Sequence, residues 1–323
     1  MLALTVEKLY DTPDWRDADG SVWYKYLSAL HFQGECGWAV GSGQILHSNN
    51  GGLSWKNTIP SEIARGVSMP ERVFMVNEQS VWVLLLAPRG QDNCYYSTNA
   101  GGQWNSKRPP LMSHPTDVFF IDESTGWILS DDGEIPAGNA MIHITHDGGN
   151  NWDTYALEIK GSATRVKFIS PRKGLLIQHT TNDDRTRTIC NLLTSADGGY
   201  TWRLLQSFNW LIRDLCIVTE NDFFVVGENG FISRTTDGGL NWRRSYTKTE
   251  DTFNAIEVNS NGRGVAGGDF GLLMITEDFG RKWARYETDD EIGSIVDVSF
   301  IRDDRVLLAA SEAIFSLSFQ LNK

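Results

Sequence analysis

The stretch SADGGYTW, Ser195 to Trp202, recurs along the chain in five weaker copies. These are SNNGGLSW ending at Trp55, STNAGGQW at Trp104, THDGGNNW at Trp152, TTDGGLNW at Trp242 and TEDFGRKW at Trp283. Successive tryptophans stand 49, 48, 50, 40 and 41 residues apart, the period of a four-stranded propeller blade. Upstream of each copy lies an alternating strand followed by a Gly-bounded one, as in IRDLCIVTENDFFVVGENGFISRT. Period-2 alternation between Gly and Asx turns is strand chemistry, and no segment offers a helical period.

Counting innermost strands gives seven, beginning near Leu27, Arg72, Thr116, Ala163, Ile212, Phe253 and Ser294. The seventh unit runs out of chain after its third strand, while LALTVEKLY at the amino terminus is a strand with no blade of its own. Joining the two closes the ring and removes exposed sheet edges. The expectation is an all-β, seven-bladed β-propeller of four-stranded antiparallel blades, closed by the N-terminal strand completing blade seven. It forms a single domain with blades at roughly 26–60, 66–109, 114–158, 162–208, 211–248, 252–288 and 293–319 plus 2–10.

Each repeat reads as a turn between a blade's third and fourth strands. Asp147, Asp197, Asp237 and Asp278 are placed to accept backbone N–H bonds within the turn, and Asn50 and Asn99 do the same with an amide oxygen. Gly199 supplies a positive φ. Trp55, Trp104, Trp152, Trp202, Trp242 and Trp283 fold inward as anchors. Burying one indole stabilises by roughly 3–5 kcal/mol gross, more than one turn hydrogen bond supplies. The six boxes are therefore structural fasteners on the periphery. Trp38, Trp82 and Trp127 share one position in second strands and read as core.

A net charge of −12 argues against duplex DNA or RNA as partner. No apolar stretch is long enough to insert in a membrane, and the start lacks a signal-peptide pattern. Cys36, Cys94, Cys190 and Cys216 are scattered, which reads as single buried thiols in a reducing compartment and predicts a cytoplasmic protein. DWRDADG, with Asp17, Asp19 and Gly20, resembles part of a calcium loop. Trp15 stands where the first carboxylate belongs and Tyr26 where the closing Glu belongs, so no metal is expected. No cofactor is expected either, because no phosphate-cradling, zinc-protease or nucleophile-elbow pattern occurs.

Three tryptophans are left over: Trp15, Trp23 and Trp210 fall between one blade's outer strand and the next blade's inner strand. Those connections open on the same face as the loops between second and third strands. That face also carries Arg65, Arg89, Arg108, Arg185 and Arg187. Two readings compete: gap-filling indoles with solvated loop charges, or an aromatic and basic surface for a protein, an acidic peptide or a carboxylate ligand. Stacking the inner strands aligns Ala29, Arg72, Asp117, Arg165, Asp214, Ala255 and Asp297 at one height. The alternation predicts a structural ring of salt bridges, Arg72–Asp117–Arg165–Asp214, with Arg213 pointing elsewhere.

The repeats match the Asp-box pattern of sialidases and related glycoside hydrolases. Combined with upstream turns such as GWAVGSG and FFVVGENG, the chain resembles the photosystem II stability/assembly factor family from about Leu27 to Phe319. The resemblance implies a seven-bladed propeller acting as a non-enzymatic assembly or protein-interaction platform. The alternative is a carbohydrate-active enzyme or glycan binder. Against it, the Arg-Ile-Pro string of sialidases is absent and no motif places a Tyr–Glu pair. Glycoside hydrolysis would need two carboxylates about 5–10 Å apart.

Overall fold

The computed structural model describes residues 4–13, 15–16, 22–23, 26–64, 68–88, 91–110, 112–131, 139–181, 188–287 and 291–319. Among these lie seven four-stranded antiparallel sheets and one two-stranded ribbon. Six sheets are built in chain order from inner to outer strand. The seventh joins Leu4–Asp11 to Ala313–Phe319, in register from Leu4 opposite Phe319 to Asp11 opposite Ala313. Both termini thus share one blade, and the last blade has no open outer edge at Ala313–Phe319.

The inner strands are Leu27–Gln33, Met69–Met75, Pro115–Phe120, Ser162–Phe168, Ile212–Ile217, Phe253–Val258 and Ile295–Arg302. Blade two therefore starts at Met69 rather than near Arg72. Among the described residues, the helical elements are one turn, Ser61–Ala64, and a 3-10 turn at Asp269–Gly271.

Apolar clusters lie between blades rather than within them. Trp38 and Val40 of blade one pack with Val73, Met75 and Val83 of blade two. Ile301 and Leu307 of blade seven pack with Leu27 and Leu46 of blade one, so the closure seam is built like the other junctions.

The boxes join their turns as the sequence implies, with one addition. In every copy the leading hydroxyl accepts from the N–H of the glycine four residues on at 2.8–2.9 Å, for example Ser195 from Gly199 and Thr145 from Gly149. Asp197 Oδ1 accepts from the Thr201 N–H at 3.0 Å, and Asn50 Oδ1 from the Ser54 N–H at the same distance. The carboxyls of Asp147 and Asp237 are held down to about 2 by such bonds, those from Asn151 and Asn241 leading.

The box tryptophans are half-buried rather than core residues, because each lies at a blade's outer rim with one side toward solvent. They sit edge-on against inner rings, as Trp104 does on Trp38 at 5.8 Å and Trp152 on Trp82 at 5.9 Å. Trp38 and Trp127 are wholly buried and Trp82 nearly so. Trp127 of blade three donates to the Gly198 carbonyl of blade four's box at 2.8 Å, so it joins two blades.

Candidate interaction face and central channel

The innermost strand of every blade is an edge strand whose free side borders the axis, so its N–H groups need partners from outside the sheet. Neighbouring blades supply them. Asp117 Oδ2 accepts from Val166 N at 2.8 Å, Asp214 Oδ2 from Ile256 N at 3.1 Å and Asp297 Oδ2 from Leu30 N at 2.8 Å. Two residues further along, Glu257 accepts from Phe300 N at 2.7 Å and His31 Nδ1 from Met75 N at 2.8 Å. In each case the acceptor belongs to one blade and the donor to the next.

The aspartates reach the axis because all seven inner strands carry the same irregularity. The register slips between Leu27 and Ala29, Pro70 and Arg72, Pro115 and Asp117, Ala163 and Arg165, Ile212 and Asp214, Phe253 and Ala255, and Ile295 and Asp297. A bulge re-aims the residue that follows it. The layer aligned in the sequence is the set of residues immediately after this sevenfold bulge.

The expected ring of ion pairs is not continuous. Arg165 Nε lies 3.6 Å from Asp214 Oδ1, and Lys167 Nζ approaches the same oxygen at 3.7 Å. Arg72–Asp117 and Asp117–Arg165 do not come within the 4.0 Å of an ion pair among the described residues. Asp117 is turned to the Val166 N–H instead, and each guanidinium is tied to the carbonyl before it, Arg72 to Glu71 at 2.8 Å and Arg165 to Thr164 at 2.9 Å. Arg213 points away and donates to Glu228 at 2.9 Å.

These groups line a central cavity of about 560 Å³. Burial pushes the Glu257 carboxyl up to about 7 and that of Asp297 up to about 6, and raises Asp117. Burial, followed by repulsion from Arg165, lowers Arg72 to about 10. The channel carboxylates are thus held as acceptors for backbone N–H groups. Cys216, in the same wall, has its thiol pushed up to about 12 by burial and accepts from Val258 N at 3.2 Å.

The face bearing the blade-entry segments and the loops between second and third strands is different. Trp210 is 36% exposed, Tyr246 84% and Phe270 86%. Trp210 precedes blade five's inner strand, Tyr246 follows its outer strand, and Phe270 caps the loop after blade six's second strand. The Arg244 guanidinium lies 5.9 Å from the Trp210 ring and 5.3 Å from that of Phe231. A concavity of about 640 Å³ is lined by residues 244–250. Phe270 sits at φ 56° and Lys248 at φ 59°, left-handed conformations that side chains of this size rarely adopt.

Other residues singled out in the sequence take varied positions. Trp15 and Trp23 pair directly across the two-stranded ribbon between the closing strand and blade one; their side chains lie outside the described set. Arg65, Arg89, Arg185 and Arg187 lie outside the described residues. Arg108 is exposed, and its Nε donates to the Met112 carbonyl at 2.9 Å, which shapes its own loop. Sequence reasoning passed over Tyr246, Arg244 and Phe270. The signal for Phe270 was an aromatic before Gly271, at the place that Asn229 fills before Gly230 in blade five.

Fold and repeat together define the class, an Asp-box seven-bladed propeller. Within it the chain resembles the YCF48/HCF136 photosystem II assembly factors, and residues 200–312 match the family described as Photosynthesis system II assembly factor YCF48. Photosystem II assembly lipoprotein Ycf48 of Synechococcus sp. (strain CC9902) is 23% identical over 214 residues, 62% of this chain and 57% of that protein. The chain thus matches little more than half of that relative's length. Photosystem II stability/assembly factor HCF136, chloroplastic, of Arabidopsis thaliana is 22% identical over 309 residues, 86% of this chain and 71% of that one. A solved structure of YCF48 bound to D1 peptide superposes with a TM-score of 0.73 at 14% identity, covering 98% of this chain and 96% of that chain.

Proposed function

We propose that this chain is a non-catalytic platform that holds a segment of a partner protein during assembly of a larger complex. The binding surface is the face carrying Trp210, Arg244, Tyr246 and Phe270. The observation that carries this reading is the group of large aromatics left in solvent on one face. One of them, Phe270, is held in a backbone conformation that costs on the order of 1 kcal/mol. Aromatic and arginine side chains dominate binding energy at interfaces. Likeness to assembly factors, and to a propeller solved with a peptide, supports a peptide-like partner. Arg244 beside Trp210 favours a segment carrying both apolar and acidic residues.

Propellers also carry enzymes. The channel carboxylates of Asp117, Asp214, Glu257 and Asp297 are bonded to backbone N–H groups, which favours a structural role for them.

The test is affinity capture from the native host at low salt with wild type and with the triple variant Trp210→Ala, Tyr246→Ala, Phe270→Ala. The expected outcome is one or more specific partners lost from a variant whose melting temperature is within a few degrees of wild type. Undiminished capture by the folded variant overturns the proposal.

A further inference from the structure

Arg72 stands apart from the other charged groups in the channel. Arg165 and Lys167 share Asp214, and the carboxylates of Asp117, Asp214, Glu257 and Asp297 each accept a backbone N–H. Arg72 makes one hydrogen bond, from Nη1 to the Glu71 carbonyl, and no ion pair within 4.0 Å among the described residues. Its Nε is enclosed and without a hydrogen-bond partner, although the side chain borders the 560 Å³ cavity. An enclosed guanidinium with one edge unmatched is unfavourable unless a partner arrives.

The surroundings define that partner. Arg72 and Arg165 flank the single carboxylate of Asp117, which gives blades two to four a local excess of positive charge. With Nη1 committed to a carbonyl, the Nε–Nη2 edge of the Arg72 guanidinium is the unmatched one, and a turn of the side chain that uncovers Nε would offer its parallel N–H groups to a carboxylate in bidentate fashion. Asp214, Glu257 and Asp297 on the rest of the wall disfavour a dianion such as phosphate. Repulsion between Arg72 and Arg165 would be relieved by one negative charge placed beside them.

We propose that the channel binds a single carboxylate group at Arg72, delivered either by a small free acid or by the terminal carboxylate of a peptide. The binding does not depend on the aromatic face, so the two proposals fail separately. The Trp210, Tyr246 and Phe270 substitutions leave this site intact, and Arg72 is not part of that face.

The experiment titrates the folded full chain with acetate, with N-acetyl-trialanine as the free acid, and with the same peptide as its amide. Binding is followed by the side-chain Nε–H NMR signal of Arg72, assigned from its loss in Arg72→Gln. The expected result is a saturable shift with the acids, at least tenfold weaker binding of the amide, and loss of the titration in Arg72→Gln by calorimetry. Tighter binding of the peptide acid than of acetate assigns the carboxylate to a chain terminus; equal or weaker binding assigns it to a free acid. No shift up to about 20 mM of either acid, or equal shifts with acid and amide, overturns the proposal. Should Arg72→Gln fail to fold, Arg72→Lys supplies the assignment, and the wild-type Nε–H titration against acid and amide still decides it.

Discussion

Asp197 commits one carboxylate oxygen to the Ser195 hydroxyl and the Thr201 amide, and the other to the Thr201 hydroxyl. This residue-level chemistry was legible in advance because it depends only on neighbours two and four positions away. The chemistry of Glu257 was not, because its partner Phe300 is 43 residues distant in another blade. A buried carboxyl held up to about 7 binds its proton more tightly in the folded than in the unfolded chain. The folded state then binds more protons between about pH 4.5 and 7, and stability contributed by the protonated form is lost as pH rises through that window. Glu257→Gln keeps an oxygen for the Phe300 N–H and removes the titration. Its stability relative to wild type should improve by about 2–3 kcal/mol on going from pH 5 to pH 8. Urea unfolding at both pH values reads this directly. Comparing the two proteins also cancels the opposing effect of His31, which burial lowers to about 4. An unchanged difference between the pH values would remove Glu257 from the account.

At the scale of the element, the blade period, the inner and outer strands and the Asp-box turns follow from a repeat that any one copy would leave ambiguous. The sevenfold bulge does not follow. It alters no residue type in a consistent way, placing Ala, Arg or Asp after the slip, and only the paired register reveals it. The expected salt-bridge ring was therefore correct about alignment and incomplete about pairing, since free edge-strand N–H groups compete for the aspartates. The glycine at the fifth position of each box has an element-level role that local turn rules capture only in part. Gly149 has φ +78°, and a Cβ there would lie 2.6 Å from the Trp82 ring of the preceding blade. Gly34 has φ +62° but open space around it. Gly149→Ala should destabilise by about 3 kcal/mol, combining backbone strain with overpacking, against about 1 kcal/mol for Gly34→Ala. Chemical denaturation of the two variants checks this; equal losses would mean the box does not act as an inter-blade contact.

For the whole molecule, closure by Leu4–Asp11 was readable from two incomplete units at opposite ends of the chain, one lacking a blade and the other lacking a strand. The interaction face was readable only in outline. Trp210 was noticed by elimination, whereas Tyr246 and Phe270 gain meaning only once the ring places blades five and six side by side and leaves their rings in solvent. The central claim is that one face of a rigid ring holds the partner while the Asp-box face serves only to fasten blades. Hydrogen exchange on the complex with the captured partner tests it most directly. The account predicts slowed exchange at residues 209–211, 244–250 and 269–272 with the box turns unchanged. Protection centred on the box turns, for instance 197–201 and 237–241, with the aromatic segments unaffected, would contradict it.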